Sequence, residues 1–126
     1  MAPGVEPGAM RDIPSWIGTP VGDRVGLDVG TVRDVYHDDA TAQPAWLLVG
    51  VRERLVLVPA AGALSWSARV IVPVDRELID TAPALAAPPR VLAGEPLLRL
   101  ARHYGVRVDR CSGCRPAHAV SVQQAA

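Results

Sequence analysis

The chain of 126 residues has no phenylalanine, no lysine and no asparagine. With aromatics at only 4%, its core must be aliphatic, built from Val, Leu, Ile and Ala with three Trp as the large pieces. Without lysine every basic side chain is an arginine, and the 13 of them are matched by 13 acidic residues. Such a neutral chain lacks the basic excess of most nucleic-acid modules. Two cysteines are too few for a disulfide scaffold, and a chain of 126 residues does not need one. The N-terminal residues lack the charged start and apolar stretch of a signal peptide. The longest apolar run, residues 55–64, is interrupted by Pro59 and Gly62 and is too short to span a bilayer. A cytoplasmic location is the default expectation, with the cysteines as thiols. The missing Lys, Asn and Phe, beside abundant Ala, Gly, Pro and Arg, fit a GC-rich bacterial genome.

What is present reads as short strands between turns. Residues 1–11 are rich in Pro and Gly and are expected to form a loose tail. Val29, Val32 and Val35 fall three apart in a strand, so a bulge at Gly30 is expected to reset the register. Residues 45–51 and 55–59 are apolar at nearly every position, which predicts a hairpin covered on both faces, with Arg52-Glu53-Arg54 at its tip. Residues 60–64 read as a connector and residues 65–74 as the next strand, centred on Val70, Ile71 and Val72. Asp75 is placed to cap a short helical turn over residues 76–80. Leu97, Leu98, Leu100 and Ala101 form the stripe of a helix over residues 94–104, which Gly105 is placed to end. The expected organisation is a tail at 1–11, a barrel at 12–83, a linker and helix at 84–105, and a flexible Cys-containing tail at 106–126. The fold class is mainly β: a small β-barrel of five to six short antiparallel strands with one C-terminal helix. Such a barrel must close its edges or pair them with another copy, which suits a symmetric dimer.

Four features together resemble the PRC-barrel family. They are the opening Gly18-Thr19-Pro20-Val21, the segment Gly26-x-x-x-Gly30-x-Val32-x-Asp34-Val35, and the tryptophan-led strand Ala45-Trp46-Leu47-Leu48-Val49 returning through Val56-Leu57-Val58-Pro59. The fourth is the strand at 70–74 running into Ala82-Pro83 and then a helix ending His103-Tyr104-Gly105. The family includes a domain of the ribosome maturation factor that acts in 16S rRNA processing, the cytoplasmic part of the photosynthetic reaction-centre H subunit, and small stand-alone prokaryotic proteins. The chain is similar to the last group, since it shows neither the extra N-terminal domain of the first nor the membrane helix of the second. The resemblance implies a non-enzymatic binding and assembly module, with no catalytic residues and no cofactor to carry over. An RNA- or ribosome-associated role is implied by fold analogy alone.

Candidate site residues are weighed separately. Cys111-Ser112-Gly113-Cys114 is half of a zinc site or a redox pair, with His118 as a third ligand, or simply two thiols in a tail. His37-Asp38-Asp39 sets an imidazole beside two carboxylates, a pattern that fits a solvated turn better than a metal centre. Arg52, Arg54, Arg99, Arg102, Arg107 and Arg110 could gather into an anion-binding surface, or serve solubility and carboxylate pairing. Trp46 is expected in the core. Trp16 and Trp66, each beside Ser, are candidates for an interface, with Arg52 and Arg54 supplying orientation. The expected partners are a second copy, an unidentified protein, or less readily RNA or the ribosome; no membrane insertion is expected.

Overall fold

A computed structural model describes residues 16–108 and 113–116. The described strands are β1 (Pro20–Gly22), β2 (Asp28–Asp38), β3 (Pro44–Val51), β4 (Arg54–Pro59), β5 (Leu64–Trp66), β6 (Arg69–Ile71), β7 (Leu92–Ala93) and β8 (Gly113–Pro116). The helices are α1 (Arg76–Asp80) and α2 (Gly94–Tyr104). The strands join in one eight-stranded sheet of order β4-β3-β2-β1-β6-β5, with β8 beside β2 and β7 beside β8. The fold is mainly β, with three corrections to the expected barrel. Among the described residues β4 and β5 remain outer strands of an open path. The sheet is mixed, because β1 and β6 run parallel. The strand expected over residues 65–74 is a hairpin, β5–β6, turning at Ser67 and Ala68 (φ 51 and 62).

Strand β2 organises the sheet. It pairs with β3 along one side, and with β1 and then β8 along the other. Its register slips near Gly30, as expected, and again between Val32 and Asp34. Each slip inserts one residue, so Val29, Val32 and Val35 all reach the same core despite their spacing of three. A Cβ at Gly30 would collide with the Gly50 carbonyl oxygen, so glycine lets β2 and β3 cross closely here. Asp34 is buried where β1 has ended and β8 has not begun, and its carboxylate accepts the Val35 N–H (2.8 Å).

The doubly apolar β3–β4 hairpin has a core on each face. Leu47, Val49, Val56 and Val58 join Val21, Val32, Val70 and Ile79 on the inner face. Trp46, Leu48 and Leu57 join Tyr36, Leu92, Leu97, Leu100 and Cys114 on the outer face, under α2. Helix α2 forms at the expected residues. Gly105 ends it at φ 69, with Val106 N–H donating to the Ala101 carbonyl (2.9 Å) and Gly105 N–H to that of Arg102 (3.3 Å). Asp75 precedes α1 but makes no side-chain cap; its carboxylate pairs with Arg24 instead (2.7 Å). The stretch 106–126, expected to be loose throughout, contains β8. The partners that order β8 lie at β2 and β7, distant in sequence, and so are invisible to local periodicity.

Candidate interaction surface

The outer face of the sheet is covered over β3–β4 and bare over β5–β6. In that hairpin Leu64 pairs with Ile71 and Trp66 with Arg69, so these four side chains share one face. Ser65 and Val70 take the other face, and Val70 is fully buried. Leu64 and Trp66 are 67% and 70% exposed, although they are large and apolar. Arg69 lies across β1, donating to the Gly26 carbonyl (2.7 Å) and to Asp28 Oδ1 (2.5 Å). Gly22 makes room for this: a Cβ there would meet Arg69 Nη2 at 2.8 Å and Ile71 Cδ1 at 2.9 Å. The same guanidinium thus ties the bare face to the β1–β2 loop.

That loop carries two further exposed apolar side chains. The buried Asp23 carboxylate accepts the N–H groups of Val25 (3.0 Å) and Leu27 (2.8 Å), and Gly26 turns the chain at φ 93. Tied inward by its acid, the loop leaves the Val25 and Leu27 side chains exposed. The one charged side chain of the hairpin, Arg69, is paired with Asp28. Residues 55–68 contain no charged side chain at all.

The residues singled out from sequence are scattered. Trp46 is core, and Trp16 is half-buried against the inner core. Trp66 lies in the outer strand β5, whereas Arg52 and Arg54 sit at the β3–β4 turn, at the opposite end of the strand order. Arg52 is exposed in that turn at φ 59. Arg54 is engaged, its guanidinium donating to the carbonyls of Asp80 (2.9 Å) and Ala82 (2.8 Å) just behind α1. Arg102 pairs with Glu95 (3.3 Å), Arg99 and Arg107 are exposed, and Arg110 lies outside the described residues. Leu64, Val25, Leu27 and Ile71 were not among the site residues expected from sequence; the uncharged stretch 55–68 is a signal that could have singled out Leu64.

Cys111 and His118 also lie outside the described residues. Cys114 is buried in β8, and burial pushes its thiol up to about 11, with Asp38 and Asp39 adding to the rise. Asp38 and Asp39 take separate partners: Asp38 accepts the Ala40 and Thr41 N–H groups, while Asp39 pairs with Arg115 (3.5 Å). Among the described residues no group of three His, Cys, Asp or Glu could hold a metal ion. A cleft of about 430 Å³ beside Cys114 is walled by Trp46, Pro59, Leu97, Val106 and Val108. Its polar lining is Asp38, Thr41 and Arg107, of which Asp38 accepts the Ala40 and Thr41 N–H groups of its own turn.

An open β-sheet, two apolar cores and a bare apolar hairpin define a β module with a surface for contact. Residues 9–79 match the family model of the PRC-barrel domain. The match covers more than half of the chain, which therefore belongs to the PRC-barrel family. PRC-barrel domains are generally non-catalytic modules that mediate protein–protein interaction. No curated protein matches the chain. Among the described residues no helix is long and apolar enough to cross a membrane.

Proposed function

We propose that this chain is a non-enzymatic PRC-barrel module that binds and assembles proteins, working as a homodimer. The bare face of β5–β6 carries this reading: an exposed Trp and Leu stand on an outer strand in a region without charge. Large exposed aromatics on a rigid strand supply contact area with little loss of side-chain freedom. The open sheet path offers the backbone groups of an outer strand as well.

Arg24, Arg54, Arg69 and Arg102 act as local clamps in this reading, each holding a loop or a helix end through an internal partner, whereas Arg52, Arg99 and Arg107 are exposed. The test is the molar mass of the full chain by light scattering across micromolar concentrations. Twice the chain mass of 13.3 kDa is expected. A mass of one chain throughout would overturn the homodimer.

A further inference from the structure

The geometry points to a specific mode of self-association: two copies join their β5 strands antiparallel about Ser65, each laying Trp66 and Leu64 against the other's. This rests on the homodimer reading and names its surface. The two-residue turn makes Trp66 and Arg69 a hydrogen-bonded pair within the hairpin, and alternation then turns the Ser65 N–H and C=O outward. A copy related by a two-fold axis through Ser65 would exchange both bonds with its partner. The same axis sets Leu64 of one copy opposite Trp66 of the other, an aliphatic–aromatic cross-strand pair, made twice.

The occupant is a second copy because the surface is neutral and matches itself. Outer strands of monomeric sheets are usually guarded by short length, a charge, a proline or a bulge. β5 is short, at three residues, but its Leu64-Ser65-Trp66 carries no charge, proline or bulge and is exposed at every residue. The Arg69 guanidinium is neutralised within the chain by Asp28. A charged partner would have to strip water from its own charges and find no counter-charge here. An identical neutral face carries no such penalty. Across β1, the loop whose Gly26 carbonyl accepts from Arg69 carries the exposed Val25 and Leu27.

Two experiments on the full chain test this. In the first, Trp66→Arg and Leu64→Arg are compared with wild type by sedimentation equilibrium, with circular dichroism as the fold control. Both side chains are solvent-exposed, so the fold is expected to persist while the dimer dissociation constant rises by about 30-fold or more. In the second, Ser65→Cys is placed in a Cys111→Ser background and oxidised mildly. Paired strands would hold the two Cα atoms about 5.5 Å apart, within disulfide range, and a cross-linked dimer is expected. If wild type is dimeric, unchanged association of both arginine variants together with no cross-link overturns this surface and leaves the homodimer reading standing. A monomeric wild type overturns both.

Discussion

At the scale of single residues, chemistry visible in the chain is often spent on structure. Asp23, Asp34 and Arg54 would each serve as a site residue, yet each bonds to backbone. Cys114 is the clearest case, because its thiol is buried among Tyr36, Trp46 and Leu92. Burial, then Asp38 and Asp39, raise it from 9.0 to about 11, so the folded chain keeps a proton that the unfolded chain has lost. The sign follows: this group's stabilising contribution is fully present below pH 9 and is lost as pH rises toward 11. The loss is on the order of 2 kcal/mol. Denaturant titrations from pH 7 to 11 should show wild type weakening from about pH 9. Tyr36, raised from 10.0 to about 12 by burial and by Asp34, begins to contribute a unit later. Cys114→Ala should therefore delay the onset by about one pH unit, and an identical onset in both proteins would remove the role given to the thiol. The folded protein should also resist alkylation at Cys114 at neutral pH, since the thiolate is the nucleophile. The CxxC spacing in the sequence could not reveal this, because the burial of Cys114 depends on strand partners nearly eighty residues away at β2.

At the scale of elements, legibility followed the locality of the signal. Helix α2 carries its stripe, its basic last turn and its terminating glycine within its own residues, and its bounds were readable. The β3–β4 hairpin showed two apolar faces, and both proved covered. The β5–β6 hairpin was hidden because Ser67 and Ala68 hold left-handed backbone without any Gly, Asn or Asp to announce a turn. The interaction surface was hidden with it: Trp66 stood out, but Leu64 shares its face only if residues 64–66 are a strand rather than a connector, and Ile71 joins them only once the chain reverses. A non-glycine residue in this conformation costs about 1–2 kcal/mol. The double substitution Ser67→Asn and Ala68→Gly should therefore stabilise the protein by about 1 kcal/mol, the residues being the preferred pair for such a turn. Thermal unfolding would show it as a rise of a few degrees. Since both positions are exposed, an unchanged or lower midpoint would mean that the strain is absent or is balanced in the unfolded chain.

At the scale of the whole molecule, the family match and the folding unit have different extents. The match ends at residue 79, whereas the outer core draws Leu92, Leu97, Leu100 and Cys114 from beyond it. Further ties cross the same boundary: Tyr36 Oη donates to the Pro89 carbonyl (2.5 Å), and His103 Nε2 donates to that of Leu78 (2.7 Å). Tyr104 packs on both cores, so its helix joins them as well as covering one. A chain ending at Pro89 would leave Tyr36, Trp46, Leu48 and Leu57 without this cover. At about 1.5–3 kcal/mol for each large apolar side chain, the loss is on the order of 6–12 kcal/mol. That rivals the total stability of an ordinary domain, about 5–15 kcal/mol. The shortened chain is thus expected to lose its cooperative transition at 25 °C and to bind a hydrophobic dye, while the full chain unfolds in one step. A shortened chain that melted cooperatively at the full chain's midpoint would show that the inner core alone carries the fold, and that α2 with β7 and β8 is an appendage.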